Sequence, residues 1–430
     1  MDKTLRVYAI CLDAFPEIPE LKQSLKEFQR MSLVCAGAFT TATMTSMISG
    51  TVGSKIIPGG IGYNTSYTPT FLTWRKNGTC LVDRLLNSHK DVIIHNHIPW
   101  MSHNIVGASL SKEDKTKHYR DCNVDDSDIE VYDFGVRKSV NPQLVYSSTN
   151  PDLTLNTFVE WGSVDRKEEF YNNEKEYFNY IKGKFNGLLW TDLCHWHEAV
   201  YYPNGNPYSK NQLPIDQSFA LKDSVEWLKY FDFNEPNTVF LIYADHSHRV
   251  EPFLDPAGYI TWAYWKDNRT NKEDYELRPV ISSYDIYSLI LSLFNISTPS
   301  SISSNLLSEL PTLPYDPKRI YYTEDGRAQA VNKTEATNFT QTKLVNNNWI
   351  SVSKQLDGIT GYYLKIAPMD NHNSYELYYK SDKQQTSNII KTIVTCDDGL
   401  SPRNKETTVL VKDVKLPSDE ILSVAKELGW

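Results

Sequence analysis

Short apolar runs that end abruptly in Asp or His recur along this chain, and they constrain its fold more than any other feature. Leu5–Leu12 ends in Asp13, and Asp91–Ile94 runs into His95-Asn96-His97. Phe185–Thr191 is followed by Asp192, His195 and His197, and Thr238–Tyr243 by Asp245-His246-Ser247-His248. Runs this short and apolar mark strands buried on both faces of a parallel sheet. Between them lie stretches of helical character: Pro19–Arg30, Cys80–Leu86, Asp165–Lys182 and Asp216–Phe231, the last with an apolar face of Phe219, Leu221, Val225 and Leu228. Strands alternating with helices over roughly the first 300 residues predict an α/β domain, a mostly parallel central sheet flanked by helices. Such sheets bind ligands at the carboxyl ends of their strands. A single Asp there is often a helix cap, and a single His often a partly buried core residue. Four strand ends that all supply Asp or His are what a metal site built from separate loops requires.

A further strand end carries a hydroxyl. Ser32–Ala36 predicts a buried strand, Gly37-Ala38 a turn, and Thr40–Gly50 a short helix of small or unbranched residues with a glycine stop. Thr40 then stands at a helix N-terminus, where unpaired amides and the peptide dipoles make the surroundings electropositive. A hydroxyl so placed can serve as a nucleophile, with the amides holding an attacked oxyanion; Thr is also an ordinary N-cap.

After residue 300 the pattern changes. Ser297–Pro317 is rich in Ser and Pro, and beyond it come separated strands of alternating character at Arg319–Thr323, Lys343–Val352, Gly361–Ile366, Tyr375–Tyr379 and Ile389–Thr395, then a helix over Ser418–Leu428. This predicts a catalytic domain over 1–300, a linker over 301–317, and a smaller α+β subdomain over 318–430 with an antiparallel sheet and a terminal helix. Met101–Val164 is polar and aperiodic, and its cluster of Asp125, Asp126 and Asp128 lacks the ligand spacing of a calcium loop, so it reads as a solvated loop. The net charge of −9 argues against nucleic-acid or anionic-membrane binding, so an anionic ligand would need a metal and local dipoles to hold it. No run approaches the ~18 apolar residues of a spanning helix. The start, Met1-Asp2-Lys3-Thr4, lacks a signal-peptide core, and the six cysteines contain no CxxC pair. Those features predict a cytoplasmic protein with reduced thiols, in which the sequons at Asn64, Asn77, Asn268, Asn295, Asn332 and Asn338 are incidental.

Together these residues resemble the alkaline phosphatase/sulfatase superfamily, over most of the chain outside Met101–Val164. Asp13 matches the first metal-binding carboxylate, Thr40 the nucleophile of the small-residue helix, and Asp245-His246 the Asp-His pair that completes the metal site. His95-Asn96-His97 falls where sulfatases carry Lys-x-His, and His195 where the phosphoglycerol and phosphoethanolamine transferase branch places a histidine. Arg278-Pro279-Val280 with Tyr284-Asp285-Ile286-Tyr287 resembles the segment before the helix that closes the core, and Tyr321–Arg327 and Tyr375–Tyr378 resemble the smaller C-terminal sheet.

The resemblance implies one divalent ion held by Asp13, Thr40, Asp245 and His246, with Zn²⁺ or Mn²⁺ favoured and Mg²⁺ or Ca²⁺ compatible. It implies Thr40 as nucleophile toward a phosphate ester, His195 as the group that protonates the leaving oxygen, and His95, His97, Asp192, His197 and His248 as substrate contacts. The departures are informative. Sulfatases convert Cys or Ser in a Cys/Ser-x-Pro-x-Arg motif to an aldehyde, whereas this chain has Thr40-Thr41-Ala42-Thr43-Met44. Threonine cannot yield that aldehyde, which points to phosphoryl chemistry. Position 196 is Trp where two-metal members use His, so one ion is the more economical reading, with a second on Asp192 and His195 or His197 left open. The alternatives are a sulfatase with an unmodified nucleophile and an inactive member used as a binding or structural module.

Overall fold

The computed structural model describes residues 4–37, 40–52, 79–96, 144–147, 167–201, 216–246, 259–269, 277–299, 307–311, 319–324, 339–354, 361–369, 374–381, 391–395, 407–409 and 417–430. The first part runs β1 (Arg6–Leu12), α1 (Pro19–Ser24), β2 (Gln29–Val34), α2 (Thr40–Ser49), α3 (Leu81–Asn87), β3 (Asp91–Asn96), β4 (Leu144–Ser147) and α4 (Lys167–Ile181). It continues with β5 (Gly187–Leu193), α5 (His195–Tyr201), α6 (Gln217–Trp227), β6 (Thr238–Tyr243), β7 (Ile260–Asp267), β8 (Val280–Ser282) and α7 (Asp285–Leu293). These strands form a mostly parallel eight-stranded sheet in the order β4-β3-β5-β1-β6-β7-β2-β8. The four runs that end in Asp or His are therefore neighbours, β3-β5-β1-β6, and all run parallel.

Alternation along β1 separates two cores, because successive side chains leave opposite faces of a strand. Val7, Ala9 and Cys11 join Met44, Met47 and Ile48 of α2, Leu81 and Leu85 of α3, and Leu289 and Ile290 of α7. Tyr8, Ile10 and Leu12 join Leu21 of α1, Phe178 of α4, Trp196 of α5 and Trp227 of α6. The α2 and α5 helices thus lie on opposite faces, and their amino ends meet at one sheet edge.

Four local readings differ from the sequence expectation. β7 lies antiparallel between β6 and β2. It shows no polar carboxyl end at the shared edge because it runs the other way, bringing its amino end there. α1 stops at Ser24, since Gln29 and Arg30 belong to β2 and Arg30 pairs with Glu17 at 3.0 Å. Of the expected apolar face of α6 only Phe219 is exposed; Val225 and Leu228 are buried and Leu221 packs against the same core, joined by Ala220, Ser224 and Trp227, after an N-cap in which Asp216 accepts from Phe219 N. Lys343–Val352 is not one strand but a hairpin, turned at Asn346 (φ 48°) and Asn347 (φ 59°), two residues that tolerate the left-handed conformation of a tight turn.

The second sheet holds β9 (Tyr321–Glu324), β10 (Phe339–Val345), β11 (Asn348–Lys354), β12 (Gly361–Pro368), β13 (Ser374–Ser381), β14 (Lys391–Thr395) and β15 (Thr407–Val409), followed by α8 (Asp419–Glu427). Its seven strands are antiparallel. One face places Ile350, Val352, Leu364 and Tyr378 beneath Ala425 and Leu428 of the α8 end. The other contributes Tyr321, Trp349 and Ala367 to the core that contains α2. Arg319 seals the junction, bonding both oxygens of the buried Asp285 at 2.5 and 2.6 Å. Among the described residues no helix is long and apolar enough to cross a membrane.

Candidate metal centre and active site

The site begins with strand register. Cys11 of β1 is level with Asp192 of β5 and Tyr243 of β6. Two residues further along, still on the same side of the pleat, β1 and β6 reach Asp13 and Asp245. Adjacent parallel strands in register therefore set two carboxylates side by side. The chain turns sharply after Asp13: Ala14 takes a positive φ of 52°, and its N–H donates to Asp245 Oδ1 at 3.1 Å. A left-handed alanine is strained, and strain of this kind persists where the surroundings over-determine it. Sequence reading passed over Ala14, because only Gly, Asn or Asp signals such a turn.

His246 completes the set. Its Nε2 lies 3.5 Å from Asp13 Oδ1 and 3.7 Å from Asp245 Oδ2. Asp13, Asp245 and His246 each offer a ligand atom within 4.8 Å of the others, and all three are fully buried. Beyond β7, at the carboxyl end of β2, α2 presents Thr40, whose Oγ1 stands 3.4 Å from His246 Nε2. The helix forms as expected and ends at Gly50, which takes the left-handed φ of 71° and donates its N–H to Ser46 O. It is wedged in place by Ser283, whose Oγ accepts from Ala36 N at 3.0 Å and lies 2.5 Å from Ser46 Oγ. Ser283 thus ties both sides of the strand-to-helix connection that carries Thr40. No sequence pattern signals this role, because it depends on a contact between residues distant along the chain.

The donor chemistry fits a divalent cation. Two buried carboxylates converge beside a neutral or cationic imidazole, and buried carboxylates need a compensating partner. Asp245 Oδ2 accepts no hydrogen bond and faces His246 across the gap. The local field is negative. Burial pushes the Cys11 thiol well up, and Asp245, Asp13 and Asp192 push it further. Burial and then Asp245 raise Cys35 likewise. Carboxylate and imidazole ligands suit Zn²⁺ or Mn²⁺ without selecting between them.

The remaining expected residues divide. Asp192 is buried in β5 level with Cys11 and accepts from Cys194 Sγ at 3.2 Å. His197 of α5 brings its ring to 6.4 Å from that of His246, edge to face. His195, two residues earlier, turns to α6 and bonds Asp223 through Nδ1. His95 is buried away behind β3. Its Nδ1 meets Thr191 Oγ1 at 2.9 Å, its Nε2 lies 3.3 Å from Glu174 Oε1, and its ring stacks on Tyr177. His97, His248, the Asp125–Asp128 cluster and the Gly53–Thr68 loop lie outside the described residues. The described cysteines, Cys11, Cys35, Cys80 and Cys194, are buried and form no disulfide.

No protein-family model and no curated protein matches the chain. Solved structures do. A protein of the alkaline phosphatase superfamily from Vibrio parahaemolyticus is 15% identical, covering 90% of this chain and 82% of that one with a TM-score of 0.46. A 2-O GAG sulfatase is 9% identical, covering 99% and 90% with a TM-score of 0.43. The alkaline phosphatase of the Antarctic bacterium TAB5 is 9% identical, covering 69% and 99% with a TM-score of 0.37. Each TM-score lies below 0.5, so these proteins are similar in outline and lend the chain no residue roles.

Proposed function

We propose that the protein is a metal-dependent hydrolase or transferase of phosphate esters that works through a covalent phospho-Thr40. The observation that carries this reading is the placement of Thr40 Oγ1 against His246 inside a buried Asp13/Asp245/His246 set. Asp13, Asp245 and His246, with Thr40 Oγ, would hold one divalent ion; such an ion lowers the pKa of a bound hydroxyl and neutralises phosphoryl charge. Thr40 attacks phosphorus in line, its proton passing to water; the Thr40–phosphorus bond forms as the ester P–O bond breaks. The N–H groups of Thr41 and Ala42, in the first turn of α2, have no partner within the helix and would be free to donate to the equatorial oxygens, where each such donor contributes about 3 kcal/mol. The leaving oxygen would take its proton from water, because His195, to which the sequence resemblance gives that role, is turned onto Asp223 of α6. Water or a second hydroxyl then releases the phosphate.

A diester, or transfer between hydroxyls, suits a single ion better than a monoester, whose second charge would be poorly compensated. The test is a side-by-side assay of p-nitrophenyl phosphate, bis-p-nitrophenyl phosphate and p-nitrophenyl sulfate, with each divalent ion and with chelator. Metal-dependent cleavage of a phosphate ester, with phosphate trapped on Thr40 by mass spectrometry, is expected. Cleavage of the sulfate alone would reassign the substrate class, and no cleavage with any ion would end the enzymatic reading.

A further inference from the structure

The two histidines of α5 cannot do the same job. Residues two apart on a helix project about 200° from each other. His197 brings its ring edge-on to 6.4 Å from His246. His195 faces the other way, bonding Asp223 of α6 through Nδ1, and both side chains of that pair are largely buried. Asp223 is itself fixed, because α6 is docked by Trp227, whose Nε1 donates to Glu174 Oε2 on α4 at 2.9 Å. Glu174 in turn pairs with His95 of β3. A chain of buried polar contacts therefore runs from β3 through α4 and α6 to the first residue of α5.

We propose that His197 is the α5 imidazole that contacts the phosphoryl group, and that the His195–Asp223 pair is a positioning clamp that holds α5 so that His197 faces the Asp13/Asp245/His246 set. The contact rests on the phosphate-ester reading above; the clamp stands on the geometry of α5 and α6 alone. Replacing the outward imidazole by a group that keeps the bond to Asp223 should then cost little. An asparagine at 195 places its amide N–H where Nδ1 stands and retains no second ring nitrogen.

The test measures binding of inorganic phosphate to the metal-loaded protein by calorimetry, together with kcat and KM on the phosphate ester that is cleaved best. His197→Ala should weaken phosphate binding about 10- to 100-fold, the loss expected for one hydrogen bond to a charged group. His195→Asn should stay within about threefold of the parent protein, while His195→Ala and Asp223→Ala approach the His197→Ala value. In a His197→Ala background, Asp223→Ala should add nothing, since a clamp that acts through a missing side chain has no further effect. Circular dichroism keeps misfolded variants out of the comparison, and His195→Asn tests the clamp even if the alanine variants fail to fold. Unchanged phosphate affinity in His197→Ala, loss of activity in His195→Asn, or additive Asp223 and His197 effects would each overturn the inference while the phosphate-ester reading stood. A parent protein that neither binds phosphate nor cleaves an ester with any ion would overturn that reading, and the contact with it.

Discussion

Replacing Arg319 by methionine should cost the protein about 3 kcal/mol or more, and the structure shows why. Both terminal guanidinium nitrogens bond Asp285, at 2.5 and 2.6 Å, and Asp285 is fully buried. Removing the cation strands a buried carboxylate, which typically costs about 3–5 kcal/mol. Two backbone donors soften the loss, since Asp285 Oδ2 accepts from Ser282 N at 2.8 Å and Oδ1 from Glu309 N at 3.0 Å. That favours the lower end. The guanidinium also lies 4.9 Å from the Tyr321 ring centroid, a contact that adds about 0.5–2 kcal/mol when desolvated. Asp285 opens α7 beside Ser283, the residue that wedges α2, so the loss should be felt at the connection that carries Thr40. Urea unfolding of the parent protein, Arg319→Met, Asp285→Asn and the double variant would read the coupling directly. The double variant should be clearly more stable than the sum of the singles predicts, because the stranded charge is gone. A cost below about 1 kcal/mol for Arg319→Met, or additive single effects, would show that the pair does not hold the two sheets together.

Three further outcomes are expected. Thr40→Val keeps shape but loses the hydroxyl, and should lower kcat about 10⁴-fold or more, whereas Thr40→Ser keeps measurable activity; comparable activity in the valine variant would remove Thr40 from the chemistry. Asp245→Asn should weaken divalent-ion affinity about 100-fold by direct titration, and chelator should lower the Tm of the parent protein but not of this variant. Burial alone would raise the Glu17 carboxyl, but two bonds from Arg30 at 3.0 Å, one from the Tyr264 hydroxyl and the nearby Lys22 hold it below its ordinary value. A depressed folded pKa gives stability that is present above the unfolded value of about 4.3 and lost as pH falls through the folded value. Arg30→Met should therefore flatten the fall in unfolding free energy below about pH 4; an unchanged slope would show that Glu17 is not part of that fall.

Much of this molecule was legible in the chain itself. A strand buried on both faces must be apolar along its length, so β1, β3, β5 and β6 announced themselves. Because these four run parallel, their polar ends had to fall on one edge, and among the Asp and His residues there it was the family resemblance that singled out Asp13, Asp245 and His246. The Thr40 helix was equally plain, since its small residues and Gly50 obey local rules. β7 escaped because an antiparallel strand shows its carboxyl end to the opposite edge. The hairpin at Asn346-Asn347 escaped because Lys343–Val352 reads as one run unless both asparagines are seen as a turn.

What the tertiary structure alone decided is the direction of side chains. Sequence spacing places His95, His195 and His197 after their strands, but spacing carries no rotation about a helix and no partner from a distant element. Packing turned His95 onto Glu174 and His195 onto Asp223, and left His197 edge-on to His246. The left-handed Ala14, which sends its N–H to Asp245, and Ser283, which holds α2 from the β8–α7 turn far along the chain, are likewise products of packing. Residue types fix which ligands a chain has to offer, whereas the order of strands and the rotation of helices settle which of them face one another.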